Sequence, residues 1–319
     1  MSENNRLKMR VQAVRFEAEG VLSVELSPLD GSTLPPVEPG AHIDLHLDAG
    51  LVRSYSLVTP RCTSTRYVVA VLLDSASRGG SIYIHRDLRV GTIMEVGAPR
   101  NHFVLDESAQ QTVLIAGGIG ITPIYSMYVR MLSLGKPVTL LYCGRSRKQM
   151  ALQRSIAALG NPIEWHIDEE AGTPPDLKAF LSRFNADADF YCCGPTPMIN
   201  GFEAICESLG YDKVHVERFS AVAAPKSDTP SGAYEVVLKR SGQSFQIAPG
   251  QTMYDVFLAN KINVEFSCKE GICGACETKV IEGIPEHRDS VLSKAERASN
   301  KTMMVCVSGC KGERLVLDL

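Results

Sequence analysis

The chain has 319 residues, an ordinary apolar content and a formal net charge of −3. That length is enough for two or three domains. The slightly acidic balance offers no basic face for nucleic acid, and no apolar run reaches the roughly 18 residues of a membrane span. Met1–Arg10 holds no apolar signal segment, so the ten cysteines are expected in a reducing, cytoplasmic setting and not in disulfides.

Residues 1–108 are dominated by short β-rich runs: Arg10–Phe16, Val21–Leu26, His42–Leu47, Arg53–Leu57, Tyr67–Leu72 and Thr92–Val96. Turn residues separate them, which predicts an all-β sandwich or barrel. Two stretches carry chemistry. Arg53-Ser54-Tyr55-Ser56 sets a guanidinium, a ring and two hydroxyls on one strand, suited to a phosphate and a flat aromatic ligand. Taken alone it also describes a surface strand. Gly79-Gly80-Ser81 precedes a helical run, Ile82–Arg86; with Ser81 as cap, the glycines expose N–H groups to an anion. An ordinary capped turn has the same composition.

Residues 109–220 alternate strands with helices, which predicts a parallel sheet covered on both faces. Strands are expected at Thr112–Ala116, Pro137–Cys143, Pro162–Ile167 and Ala188–Cys192, and helices at Ile124–Leu134, Met150–Leu159 and Thr196–Leu209. The loop Gly117-Gly118-Ile119-Gly120-Ile121-Thr122-Pro123 follows the first strand, where such sheets bind nucleotides. Pro123 replaces the third glycine of the dinucleotide fingerprint, and it suits the first position of a helix. Gly144-Arg145-Ser146-Arg147 stands where an acidic ribose partner is expected, so Arg145 is a candidate for a 2′-phosphate or a solvated turn, and NADH and NADPH both stay open. Cys193-Gly194-Pro195 ends the last well-defined strand, with a small polarizable side chain placed to approach a nicotinamide. Glu217-Arg218-Phe219 closes the domain.

Ala221–Gly232 is rich in Ala, Pro, Ser and Asp and reads as a linker. It isolates residues 233–319, which carry Cys268, Cys273 and Cys276 at the spacing C-x₄-C-x₂-C, then Cys306. This is the plant-type [2Fe–2S] arrangement. Gly271, Gly274 and Ala275 clear side chains from around the cluster, so that backbone N–H groups can face its sulfurs. Structural zinc sites usually pair C-x₂-C with another close pair; here the fourth cysteine stands alone. Cys306 is preferred to Cys310 because it ends a strand-like run, Met303–Val307, whereas Cys310 follows Gly309 in an apparent turn. Lys269 and Glu270 read as solvated loop charge or as partner contacts.

With these motifs in order, the whole chain resembles the phthalate dioxygenase reductase family, which includes vanillate demethylase and phenoxybenzoate dioxygenase reductases. The resemblance implies three domains: an all-β Greek-key barrel binding FMN (1–108), an α/β parallel-sheet domain for NADH (109–220), and an α+β plant-type ferredoxin, or β-grasp, domain (233–319) after the linker at 221–232. It implies that Arg53, Tyr55 and Ser56 hold the flavin and that Gly80 and Ser81 take its phosphate, with Ser54 and Gly79 as neighbouring cofactor-binding candidates. Gly118, Thr122 and Cys193 frame the nicotinamide, with Gly117, Gly120, Gly194 and Pro195 as further cofactor-binding candidates, and Phe219 stacks on the flavin. It favours NADH and FMN; the residues themselves do not separate FMN from FAD. The expected product is a monomeric cytoplasmic oxidoreductase that passes electrons from NADH through FMN to [2Fe–2S] and on to the Rieske centre of a transiently docked aromatic-ring oxygenase. Cofactors carry that chemistry, so no acid–base residue or nucleophile is expected. A stand-alone flavin or ferric reductase is one alternative, and a zinc- and nucleotide-binding module is another.

Overall fold

The computed structural model describes residues 6–58, 65–221 and 232–319. The chain divides into two compact units, Met1–Glu217 and Arg218–Leu319. Residues 222–231 of the expected linker lie outside the described residues. No described helix is long and apolar enough to cross a membrane.

The first unit opens with six antiparallel strands: β1 (Arg6–Ala18), β2 (Val21–Pro28), β3 (His42–His46), β4 (Val52–Ser56), β5 (Tyr67–Leu72) and β6 (Ile93–Gly97), in the order β4-β3-β6-β1-β2-β5. A bridge between Leu57 and Val69, with Val58 N–H donating to Val68 O at 3.0 Å, ties the end of β4 to β5 and closes the barrel. Two register shifts in β1 let the long strand bend around it. Val11, Val24, Leu26, Ile43, Leu45, Tyr67, Val69 and Val96 fill the interior. The helix α1 (Gly80–Arg86) stands between β5 and β6. Its N-cap is Gly79, at φ +96°, and not Ser81 as expected. Ser81 lies inside the helix, where its hydroxyl bonds to Ser77 Oγ (2.8 Å) and accepts from Asp74 N–H (3.2 Å). Glycine supplies the left-handed turn at lower strain than serine would.

A parallel sheet follows, with β7 (Thr112–Gly117), β8 (Val138–Gly144), β9 (Glu164–Ile167), β10 (Asp189–Cys193) and β11 (Val214–Glu217) in the order β11-β10-β7-β8-β9. The helices are α2 (Ile121–Ser133), α3 (Gln153–Ala157), α4 (Asp168–Ala171), α5 (Leu177–Leu181) and α6 (Thr196–Leu209). The period of two along β7 sends Leu114 and Ala116 into a core with α2, and Val113 and Ile115 into a core with α6. The first of these cores also takes in Ala18, Val21, Val58, Ala70 and Phe103, so barrel and sheet share buried surface. Pro123 occupies the third helical position, not the first, because the Gly118–Gly120 turn runs directly into α2. α3 is shorter than the expected Met150–Leu159, since Leu152 at φ +60° cannot continue a helix toward Met150. The strand after Cys193 was not expected. β11 is four half-buried residues at the sheet edge, too short and too weakly patterned to stand out.

The second unit contains β12 (Tyr234–Leu238), β13 (Ser244–Ile247), α7 (Met253–Ala259), β14 (Glu277–Glu282), β15 (Pro285–Glu286), α8 (Lys294–Ser299), β16 (Thr302–Met304), β17 (Gly309–Cys310) and β18 (Arg314–Leu317). The main sheet runs β13-β12-β18-β14-β16, with β12 and β18 parallel, and β15 pairs with β17. A hairpin and a returning parallel strand under one buried helix face (Met253, Val256, Phe257) make the β-grasp arrangement. Reciprocal caps, Thr252 with Asp255 and Ser293 with Glu296, start α7 and α8. Two expectations change here. Cys306 lies in a turn after β16, and Cys310 lies on a strand, because Gly309–Cys310 pairs with Pro285–Glu286.

Candidate functional site

The carboxyl edge of the parallel sheet brings two glycine segments together. A Cβ on Gly120 would lie 2.2 Å from Cys193 O, and one on Gly117 would lie 2.5 Å from Met198 Sδ and 2.7 Å from Pro195 Cδ. One on Gly194 would lie 3.0 Å from Gly117 Cα. These three glycines therefore serve backbone-to-backbone packing of the loop on Cys193-Gly194-Pro195. Gly118, at φ +55°, faces open space and is the one left for a ligand to approach. Thr122 is buried and donates its hydroxyl to Ile119 O (3.0 Å), which fixes the turn before α2.

Beside this loop lies Glu217, to which the sequence alone assigns no role. Glu217 ends β11 in register with Cys193, which is itself in register with Ala116. Its carboxyl is within hydrogen-bonding reach of the Ser56 hydroxyl on β4. Part of the residue keeps contact with solvent, but its Oε2 is enclosed with no hydrogen-bond partner among the described residues. Burial pushes the Glu217 carboxyl up to about 8, against the hydrogen bond from Ser56. Cys193 is fully buried, and burial, followed by the nearby Glu217, raises its thiol well above the usual range. The site thus presents a neutral acid, a neutral thiol and a hydroxyl, with no thiolate nucleophile. The one sequence signal for Glu217 is the alternation Val-His-Val-Glu, with the acid at a strand's carboxyl end.

In the barrel, Arg53 and the glycine turn come together although 27 positions separate them in sequence. A Cβ on Gly80 would lie 2.5 Å from Arg53 Cγ, and Arg53 donates to Arg78 O (2.6 Å) and Val52 O (2.8 Å). Tyr55 is partly buried, and burial lifts its phenol to about 12. Ser54 is engaged elsewhere: its hydroxyl donates to Asp44 (2.6 Å), which Arg100 also holds (2.8 Å). Arg145 is exposed and has no ion-pair partner among the described residues, whereas Arg147 is tied to Glu170. Phe219 falls at the start of the second unit and is 38% exposed.

In the second unit, Cys268, Cys273, Cys276 and Cys306 are all buried. The Cys268 thiol lies within hydrogen-bonding reach of Cys273, and Cys276 of Cys306, with Cys273 also near Cys276 and Cys306. Among the described residues, no three His, Cys, Asp or Glu side chains surround a single ion position. Two irons take two thiolates each, whereas one tetrahedral zinc needs all four around one point. The loop's N–H groups turn toward sulfur. Glu270 N–H lies 3.3 Å from Cys268 Sγ, Ile272 N–H is also within reach of it, and Gly271 N–H is within reach of the Cys306 sulfur. Lys269 (φ +61°), Gly271 (φ +68°) and Gly274 (φ +70°) supply the left-handed turns. The Lys269 ammonium sits 5.0 Å over the Tyr254 ring, which anchors the loop charge on α7. Cys310 points away, accepting from Gly312 N–H (3.3 Å). These thiols and N–H groups fit a two-iron, two-sulfide cluster.

Residues 236–311 match the 2Fe-2S iron-sulfur cluster binding domain family, and residues 114–204 match the oxidoreductase NAD-binding domain family. The chain is 45% identical to phenoxybenzoate dioxygenase subunit beta of Ectopseudomonas oleovorans, over 98% of this chain and 97% of that one. It belongs to the phthalate dioxygenase reductase-like family. The structure of phthalate dioxygenase reductase, described as modular for electron transfer from pyridine nucleotides to [2Fe–2S], superposes with a TM-score of 0.70 at 33% identity, covering 98% of both chains. Tetrachlorobenzoquinone reductase of Sphingobium chlorophenolicum is 43% identical over 98% of each chain. Like other members of this reductase-like family, the chain is an oxidoreductase with a flavin-type barrel, a nucleotide sheet and a ferredoxin domain.

Proposed function

We propose that this chain is the reductase component of a two-component oxygenase system, taking electrons from NADH and delivering them to a Rieske oxygenase that acts on an aromatic compound. The observation that carries this reading is the paired arrangement of Cys268 with Cys273 and Cys276 with Cys306, in a chain that also carries a nucleotide-type sheet edge. FMN, when bound, supplies the exchange between a two-electron hydride and the single electrons a [2Fe–2S] cluster accepts.

The chain's own residues do the positioning. Arg53, Tyr55 and Ser56 hold the flavin, and the turn of Gly79, Gly80 and Ser81 takes its phosphate. Gly118 admits the nicotinamide, while Gly117, Gly120 and Gly194 lock the loop to Cys193 and Pro195. Glu217 keeps a proton at neutral pH next to Ser56 and Cys193, so no buried negative charge opposes hydride delivery there. Cys268, Cys273, Cys276 and Cys306 ligate the irons, and loop N–H groups tune a cluster of roughly −400 mV, low enough to reduce a Rieske centre. The protein acts as a cytoplasmic monomer with domains at about 1–108, 109–220 and 233–319.

The quinone reductase relative supports a second reading, direct reduction of a diffusible acceptor. One experiment separates the two. NADH oxidation is followed with the purified holoprotein alone, with a quinone, and with a Rieske oxygenase and its substrate. Turnover coupled to hydroxylation supports the first reading. Turnover with quinone that persists in a variant lacking the cluster, and none with oxygenase, supports the second.

A further inference from the structure

The turn behind the cluster loop holds an acid that electron transfer itself does not need. Asp289 is 4% exposed, and its side chain is wholly buried. Its Oδ2 accepts the N–H groups of Val291 (3.1 Å) and Leu292 (2.9 Å). Arg297, on α8, donates to the Asp289 carbonyl at 2.5 Å. His287, its side chain nearly buried, stands 3.7 Å from Oδ1, which has no hydrogen-bond partner among the described residues, and the Arg297 guanidinium stands 3.8 Å from Oδ2. An apolar side chain would fill this space without the desolvation cost of a carboxyl group. What an apolar side chain could not provide is acceptors for the N–H groups of the turn.

The ordered turn bears directly on the cluster loop. Ser290 N–H donates to Gly271 O at 2.8 Å. A Cβ on Gly271 would come within 2.9 Å of Asp289 Cα and 2.6 Å of Val307 Cγ2, so glycine and turn are in close contact. The Gly271 N–H in turn lies within reach of the Cys306 sulfur. A hydrogen bond to a ligating sulfur favours the reduced, more negative cluster and raises its potential.

We propose that Asp289 is a positioning residue for the cluster: by holding the 287–292 turn against Gly271, it keeps the Gly271 N–H on the Cys306 sulfur. This rests on the reading of Cys306 as a ligand.

The test compares Asp289→Asn with Asp289→Ala in the full-length holoprotein. Both substitutions remove the same charge, so the difference between them isolates the acceptor: the asparagine carbonyl can still receive Val291 and Leu292 N–H, and alanine cannot. The readouts are iron and acid-labile sulfide content, electron paramagnetic resonance of the reduced cluster, and its midpoint potential. Asn keeps the parent line shape. Ala shows shifted g values and a midpoint below that of Asn, or it loses the cluster while NADH still reduces the flavin at the parent rate. Equal spectra and potentials, a midpoint in Ala at or above that in Asn, or loss of the cluster from both variants overturns the proposal. Absence of acid-labile sulfide from the parent protein would overturn the cluster reading, and this proposal with it.

Discussion

The hydroxyl of Ser56, on a barrel strand, reaches the carboxyl of Glu217, on the edge strand of the parallel sheet 161 residues later. That contact crosses from barrel to sheet and places an uncharged acid beside Cys193. Its consequences can be measured.

Glu217 is a buried acid whose folded value, about 8, lies above its ordinary 4.5. Between these values the unfolded chain has released its proton and the folded one has not. Stability is therefore fully present below about pH 4.5 and is lost progressively as pH rises toward 8, by at most on the order of 5 kcal/mol. Glu217→Gln should match the parent in urea unfolding at low pH and exceed it above pH 8. The rate of flavin reduction by NADH should fall above pH 8 in the parent and stay flat in Glu217→Gln. Parallel pH profiles for both proteins would count against an uncharged Glu217.

The paired cysteines predict a clean separation of functions. Cys273→Ser should lose the cluster signal and all one-electron delivery to an oxygenase, while stopped-flow reduction of the flavin by NADH stays within about twofold of the parent. Equal loss of both activities would show that the two sites are not independent.

Gly120 and Gly118 should respond differently to alanine. At Gly120 the new methyl meets Cys193 O at 2.2 Å, so Gly120→Ala should destabilise by about 2–3 kcal/mol and weaken NADH binding. At Gly118 the space is open and the cost is the left-handed backbone, about 1 kcal/mol. Thermal unfolding and NADH titration of the two variants check the order.

Arg53 braces the Gly79-Gly80 turn from below, through Arg78 O and the face of Gly80. Arg53→Ala should lower bound FMN per chain by tenfold or more at micromolar protein, read from absorbance after gel filtration. Unchanged flavin content would remove Arg53 from the site.

Arg145 is exposed and unpaired among the described residues. Arg145→Ala should change kcat/KM for NADPH by much more than for NADH, because only NADPH carries a phosphate for the guanidinium to meet. Equal effects would make it a solvated turn residue.

The chain itself determined the fold class, the oxidoreductase character and the grouping of Cys268, Cys273 and Cys276, because these rest on local spacing: a period of two in strands, a glycine loop after a buried strand, and thiols within nine residues. Only the tertiary structure decided that Glu217 meets Ser56, that Cys306 stands beside Cys276 from a turn and not a strand, and that Gly117 and Gly120 serve packing against Cys193 while Gly118 stays open. These are contacts between segments far apart in sequence, and no local pattern encodes which backbone a glycine must admit or which distant hydroxyl an acid will face.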